Sequence, residues 1–577
     1  MKKRSGGVQA GARTASSAAP EPARTSLWRW FFIAICLGCL IAYLPAVRGP
    51  FLFDDRSLMP FFESPPSLRN LLERLARLVT NLSLLAESRL AGTNPAAFHL
   101  TNIAIHLLNG FLVWRILEEL LARHGERSAG DRMAALAGAG LYLLHPLQTE
   151  AVAYISSRSE VLCAMFAYLA FRVFLGSSPD QPMTWRRAIA ATVLIGLSAL
   201  SKEPGVAMAG VFVVHDLTFT EKPRLRPLLQ RWRLYAPLLA AAVILGTRLF
   251  LTLSREGTAG VSARHKPLDY LLTQFEVIWR YFRLVILPFG QNLDHAYPVV
   301  QWPGTLWTWT GLLALGMLAA AFWRLRPRYP IAFFGFAFLL ILLAPTSSIV
   351  PIDDAMAERR LYLGSPGIAM IAADFLRRLQ PFWKTGAALA AVLLSLCGLT
   401  AQRADLYTSA VSMWENSTRV NPRNGRAWFH LAFAYYEQGR CVESVRAYER
   451  AAQERRPDYE LLVDWALALQ CAGQLDEAIA QLERAKKLER HSHAWVVEGR
   501  ILAQKGDLEG ALKALNEALH INPADPNAYS YRGNVHMLRR DPAAALADYE
   551  QALRLNPGDT AALKGRQAAL AALARSR

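Results

Sequence analysis

A chain of 577 residues is too long for one hydrophobic core, so at least two separately packed regions are expected. Hydrophobic residues make up 53% and charged residues 19%, against roughly 45–50% and about 25% in ordinary soluble domains, which argues against a purely water-soluble protein. Most of the +18 net charge lies before residue 400, in the apolar two thirds, and no basic run is interleaved with aromatics; membrane-helix flanks suit that pattern and a nucleic-acid surface does not.

Residues 1–26 are rich in Ser, Ala and Gly and carry Lys2, Lys3, Arg4, Arg13 and Arg24, which reads as a disordered basic cytoplasmic tail. The apolar run from Leu27 to Pro45 follows so long a tail that a retained signal anchor is expected, with the N-terminus inside. A first outer loop then carries Phe53-Asp54-Asp55-Arg56. Paired carboxylates serve as a general base, as ligands of a divalent metal, or both, and the sequence leaves these open beside a helix cap or an ion pair with Arg56. Leu68, Leu71, Leu72, Leu75, Leu78 and Val79 recur at helical spacing, with Arg69, Arg74 and Arg77 between them, predicting an amphipathic helix at the interface.

Further apolar runs of the about 20 residues that span a bilayer begin near Phe98, Met133, Glu160, Arg187, Gly205, Leu234, Leu306, Tyr329, Tyr362 and Lys384. With the first, they predict a membrane domain of about eleven spans over residues 27–403. The stretch from Leu268 to Pro288 is ambiguous, because Asp269, Glu276, Arg280 and Arg283 interrupt it. Eleven spans put the Arg- and Lys-rich connections inside and the C-terminal third outside, whereas a twelfth would move Arg324, Arg326, Arg328, Arg377, Arg378 and Lys384 outside. Within the second run, His99, Asn102, His106 and Asn109 share a helix face, as hydrogen-bonded core groups or as a metal-binding pair.

Charged groups not explained as inside flanks become functional candidates. His145-Pro-Leu-Gln148-Thr-Glu150, Ser157-Arg158-Ser-Glu160, Ser201-Lys202-Glu203-Pro204 and Asp353-Asp354 through Glu358-Arg359-Arg360-Leu-Tyr362 all fall on the outer face. Arg grips a phosphate oxygen pair bidentately, as a lipid-phosphate donor would require. Cys36, Cys39, Cys163 and Cys397 sit in apolar runs as small hydrophobes, while Cys441 and Cys471 could form at most one bridge.

After residue 400 a repeat appears. Trp428, Leu462, Trp495 and Tyr529 recur at steps of 34, 33 and 34, as do Gly439, Gly473, Gly506 and Arg540. Ala451, Ala485, Ala518 and Ala552 follow Tyr448, Leu482, Leu515 and Tyr549 by three residues, which is the period and residue order of a tetratricopeptide repeat. An all-α chain is therefore expected: a polytopic helix bundle, a half-repeat linker over 404–425, and an α-solenoid of four repeats plus a capping helix over 426–577. Its concave face would present Phe429, Phe433, Tyr436, Arg500 and Asn534 to an extended partner, unless the three aromatics pack against the membrane domain.

The order Asp54-Asp55, Arg77-Leu-Val-Thr-Asn-Leu-Ser83, Asn94 to Asn102, His145 to Tyr154, Ser157 to Glu160, Ser201 to Pro204 and Glu358 to Tyr362, ending in these repeats, resembles the transmembrane and tetratricopeptide-repeat O-mannosyltransferases and their bacterial relatives. The sequence departs from that family at Leu78, where Pro is usual, and in having fewer repeats than eukaryotic members. The resemblance implies a GT-C-like membrane glycosyltransferase moving a mannose-like hexose from a polyprenyl-phosphate carrier to a Ser or Thr hydroxyl of an acceptor protein. Carried over, Asp54 or Asp55 would be the base, and Arg158, Lys202, Arg359 or Arg360 would hold the donor phosphate. His145, Gln148, Glu150, Glu160, Glu203, Glu358 and Tyr362 would support them, and the repeats would hold the acceptor. The Ala- and Arg-rich composition points to a bacterial inner membrane with periplasmic repeats; a eukaryotic source would make the membrane that of the endoplasmic reticulum. The rivals are a catalytically silent anchored scaffold and a transporter, though a passive anchor does not require charges converging on one face and no internal symmetry is visible among the spans.

Overall fold

The computed structural model describes residues 22–67, 70, 77–124, 128–178, 180–220, 226–256, 265–379 and 382–576. Most of the basic tail, and most of the interfacial helix expected from Leu68 to Val79, lie outside the described residues. The regular structure is helical. Counting helices longer than ten residues, the first part runs α1 (Pro22–Tyr43), α2 (Leu78–Ala91), α3 (Pro95–Arg123), α4 (Ala129–Leu144), α5 (Arg158–Leu175), α6 (Trp185–Ser201) and α7 (Met208–Phe219). It continues through α8 (Trp232–Glu256), α9 (Pro267–Ile286), α10 (Leu306–Leu325), α11 (Pro330–Leu343), α12 (Pro366–Leu376) and α13 (Phe382–Asp405).

Among the described residues four stretches are long and apolar enough to cross a bilayer: Leu27–Arg48, Pro95–Arg123, Leu306–Leu325 and Lys384–Thr408. They make this a membrane protein, and of the eleven expected spans they support four by length and composition. Other apolar runs fold into shorter helices, Pro330–Thr346 and Pro366–Leu376 among them. Helix α10 is apolar all round and almost uncovered, with Trp307 77% and Leu313 64% exposed, as lipid rather than water would allow. Small residues bring backbones together: a Cβ placed on Gly335 of α11 would lie 2.5 Å from the Gly367 carbonyl oxygen of α12, and one on Gly367 would meet the Gly335 carbonyl oxygen.

The ambiguous stretch is α9, one of whose faces buries Tyr270, Val277, Ile278, Tyr281 and Leu284. Its acids meet polar groups instead of lipid. Glu276 accepts from the Thr305 hydroxyl at 2.7 Å, Thr308 at 2.6 Å and Tyr297 at 2.9 Å, and Asp269 accepts from the Trp302 amide at 2.8 Å. In the second run, His106 bonds Tyr362 at 2.8 Å and the Leu143 carbonyl at 3.1 Å, which is the core role left open for it.

The repeats follow: α14 (Ala410–Val420), then the pairs α15 (Gly425–Glu437) and α16 (Cys441–Glu454), α17 (Tyr459–Cys471) and α18 (Leu475–Leu488), α19 (Ser492–Lys505) and α20 (Leu508–Ile521), α21 (Pro526–Leu538) and α22 (Pro542–Leu555), and α23 (Thr560–Ser576). Ala451, Ala485, Ala518 and Ala552 are fully buried, where only a methyl group fits between stacked helices. The turn inside each pair is left-handed, at Gly439, Gly473 and Gly506 and, in the last repeat, at Arg540 with φ 60°. A side chain there strains the backbone by roughly 1–2 kcal/mol.

The solenoid is fastened to the membrane part by its first repeat. Arg426 grips Asp294 at 2.5 and 2.6 Å and Asp354 at 2.7 Å, and Arg56 grips Glu437 at 2.6 and 2.7 Å. Cys441 and Cys471 form a disulfide between α16 and α17, across a sequence separation of 30 with Cα atoms 5.5 Å apart. Closing a loop of that length restricts the unfolded chain by about 3 to 4 kcal/mol. Replacing both cysteines by Ser, or adding reductant, is therefore expected to lower the thermal midpoint of the repeats; an unchanged midpoint in reductant would remove the bridge from the stabilising set.

Candidate functional site

Phe53 to Ser57 form a 3₁₀ turn after the first membrane stretch, entered through Phe53 at φ 46°. This left-handed conformation is uncommon for an aromatic residue. The Phe53 ring packs edge-on against Trp414 at 5.3 Å and His430 at 4.8 Å, anchoring the turn to the first repeat. The turn separates the two carboxylates. Asp55 is buried: one oxygen accepts from both the amide and the hydroxyl of Ser156, and the other from the Leu52 amide at 3.2 Å. Burial pushes its carboxyl up to about 7, against those hydrogen bonds. Asp54 is exposed, its amide donates to the Tyr154 hydroxyl oxygen at 2.9 Å, and its carboxylate has no hydrogen-bond or ion-pair partner among the described residues.

From Tyr154 a row of cations continues. Arg359 donates to Glu150 through its guanidinium and, at 3.1 Å, through its amide, and its charge acts on Tyr154 and on Lys202. Lys202 is ion-paired with Glu160. Burial pushes the Lys202 ammonium below its usual value; Glu160 opposes the fall, and Arg359 and Arg77 add to it. Arg77 caps the start of α2 at φ 57° and is exposed, without a hydrogen-bond or ion-pair partner among the described residues. The Thr80 hydroxyl donates to the Ser201 carbonyl at 3.0 Å and so fixes α2 over the Lys202 turn. Arg360 lies on the same short turn as Arg359 and bonds only uncharged oxygens: Tyr270 hydroxyl at 3.3 Å and the carbonyls of Ala355 at 3.1 Å and Asp354 at 2.5 Å.

Arg158, expected to help hold the donor phosphate, lies deeper than Arg360 and bonds other protein groups. It is 0% exposed, and its nitrogens are taken by Asn102 at 2.8 Å, the Phe98 carbonyl at 2.9 Å, Ser83 and Glu87. Four of its five N–H donors are thus taken by protein acceptors, and Glu87 on α2 supplies its counter-charge. The supporting residues other than Glu203 are likewise occupied within the protein. Glu358 accepts from the Asn292 amide at 2.6 Å, His295 at 2.9 Å and Arg403 at 3.3 Å; burial alone would raise it, yet Arg403 and His295 hold it low. Tyr362 is bonded by His106 and Asn109, Gln148 donates to Ser365 at 2.9 Å, and His145 bonds the Val285 carbonyl at 2.9 Å. Glu203 is half-buried with no hydrogen-bond or ion-pair partner.

Among the described residues no three His, Cys, Asp or Glu side chains gather as metal ligands, and both oxygens of Asp55 already accept from protein donors. In the repeats, Phe429 is buried against Tyr448 and the Arg455 guanidinium, and Phe433 lies under Arg56, so these two pack within and beside the junction. Tyr436 is half-buried. Arg500 donates to Gln470 at 2.6 Å, and Asn534 accepts from the Tyr549 hydroxyl at 2.6 Å.

Four residues to which sequence reasoning gave no role in the site complete this geometry: Arg77, Glu87, Tyr154 and Ser156. Ser83 and Glu87 stand four apart on α2, a spacing that already placed both on one helix face. Arg77 read as the polar side of an interfacial helix, and only the fold brings it to Lys202.

Family models described as tetratricopeptide repeat match residues 397–460 and 526–559, and one described as TPR repeat matches 499–538; such repeats imply protein–protein interaction. Among solved structures, "Crystal structure of YrrB: a TPR protein with an unusual peptide-binding site" is 20% identical, covering 31% of this chain and 89% of that chain with a TM-score of 0.25. Protein O-mannosyl-transferase Tmtc3 of Drosophila melanogaster is 23% identical over 516 residues, covering 74% of this chain and 55% of its own length. Protein O-mannosyl-transferase F38B6.6 of Caenorhabditis elegans is 22% identical, covering 76% and 64%, and human TMTC3 is 21% identical, covering 80% and 55%. The chain thus spans less than two thirds of the length of these curated relatives. Along about three quarters of its length this membrane protein is similar to the transmembrane and tetratricopeptide-repeat protein O-mannosyltransferases.

Proposed function

We propose that this protein is a membrane glycosyltransferase of GT-C-like architecture, with about eleven spans, that transfers a mannose-like hexose from a polyprenyl-phosphate carrier to a Ser or Thr hydroxyl of an acceptor protein. Asp54 is the base. It takes the proton of the acceptor hydroxyl as that oxygen bonds to the sugar's anomeric carbon and the bond from that carbon to the phosphate oxygen breaks. The polyprenyl phosphate leaves with the electron pair, and Lys202, Arg359, Arg360 and Arg77 stabilise its charge. Asp55 and Arg158 position these groups from beneath.

The observation that carries this reading is the Asp54 carboxylate, without a hydrogen-bond or ion-pair partner among the described residues, followed through Tyr154 by a row of cations, one of which, Arg77, has no counter-ion among them. The names of the relatives support it. A lipid donor reaches such a site laterally through the bilayer, and a protein acceptor reaches it from water along the repeats. The Cys441–Cys471 disulfide suits an oxidising compartment, so the repeats face the periplasm, or the endoplasmic reticulum lumen in a eukaryote.

The test is transfer of labelled sugar by the purified full chain from a panel of polyprenyl-phosphate sugars to membrane and exported proteins. Arg77→Ala and Arg360→Ala are expected to weaken donor binding about tenfold each while leaving the melting temperature unchanged. Transfer from no carrier would remove the reading, and donor affinity indifferent to both changes would remove the phosphate assignment.

A further inference from the structure

Where the first outer loop meets the repeats, Phe53, Arg56, Trp414, His430, Phe433 and Asp464 help to enclose a cavity of about 220 Å³, and Glu437 and Glu460 complete its acidic side. It has room for one long side chain and none for a folded domain. Arg56, its one fully charged cation, is already held by Glu437 at 2.6 and 2.7 Å. His430 stacks on Trp414 at 4.7 Å; burial, helped by Arg426, pushes it down to about 4, so it is neutral at pH 7. Glu460 and Asp464 stand four apart on α17, and neither has a hydrogen-bond or ion-pair partner among the described residues. Burial, with the charges of Glu460 and Asp458 added, pushes the Asp464 carboxyl up to about 7. The cavity therefore combines aromatic faces with two acids, Glu460 and Asp464, that no cation among the described residues pairs, a surround that suits a cation.

Its position gives that cation a context. Phe53 lines the cavity and is the chain neighbour of Asp54, whose carboxylate is free. An extended peptide advances about 3.3–3.6 Å per residue, so a side chain seated here leaves a hydroxyl a few residues away within reach of Asp54. We propose that this cavity receives a Lys or Arg side chain of the acceptor, a few residues from the Ser or Thr that is modified. The inference rests on the glycosyl-transfer reading and adds to it a rule for which hydroxyls are chosen.

The experiment uses the full chain in detergent and two fluorescein-labelled Ala- and Gly-based peptides with a single Thr, one carrying a nearby Lys and the other Ala in its place. Fluorescence anisotropy should show the Lys peptide binding about tenfold tighter, as one charge-assisted hydrogen bond affords. Asp464→Asn and Glu460→Gln should each shrink that preference, and the double variant should erase it, with the melting temperature retained. Equal binding of both peptides, or a preference untouched by the double variant, overturns the proposal. Binding that disappears with a chelator would give the cavity to a divalent metal and overturns it as well. Sugar transfer is read separately: Lys-dependent binding without transfer from any donor sinks the glycosyltransferase reading and leaves the cavity standing, whereas transfer indifferent to the Lys does the reverse.

Discussion

Replacing Asp54 by Asn is expected to lower sugar transfer by about a hundred- to ten-thousand-fold while the protein stays folded, because a positioned base contributes that much and the carboxylate holds nothing else in place. Asp55→Asn is a different experiment. The Asp55 oxygens accept from three protein donors, and an amide NH₂ in place of one oxygen would turn a donor toward a donor, so the turn loosens and both stability and rate fall. The pH profile separates the two roles. With Asp55 titrating at about 7, transfer by the native chain should decline as the pH drops through that value, since the protonated carboxyl can no longer accept from Ser156 and Leu52 together. Full transfer by the Asp54→Asn protein would refute the assignment of the base.

Arg158→Ala is expected to reduce the stability of the membrane domain by about 3 to 5 kcal/mol, the loss typical of breaking one half of a buried ion pair. Glu87 would be left without its counter-charge, and Asn102 and the Phe98 carbonyl without their donor. Thermal unfolding in detergent measures this as a large fall in midpoint. Donor affinity of the fraction that remains folded should equal that of the native chain. An unchanged midpoint with lost donor binding would return Arg158 to the phosphate site.

The repeats were legible in the sequence because every unit repeats the same packing constraint: a methyl group at Ala451 and its equivalents, and a left-handed turn at Gly439 and its equivalents. The membrane character was legible from composition, but the count of spans was not, since runs such as Pro330–Thr346 fold as helices too short to be recognised by length alone. Of the site, the placing of Asp54, Lys202 and Arg359 on loops between apolar runs could be read from the sequence. What could not be read was which charges are already answered. Arg158 and Arg360 look alike in sequence, yet Glu87 from a distant helix neutralises the first, and among the described residues no carboxylate pairs with the second. The same blindness hid Arg77, whose importance depends on a hydrogen bond between Thr80 and Ser201 across more than a hundred residues.

The bare contact between Gly335 and Gly367 bears on that site from a distance. Helices α11 and α12 are the two struts from which the segment carrying Glu358, Arg359 and Arg360 is slung, so their separation sets where those cations stand. With no side chain between them, the struts meet backbone to backbone, and any larger residue would act as a wedge driven between their shafts. The alignment of the cationic row with Asp54 is thus gauged deep among the helices, by two positions that carry no chemistry of their own.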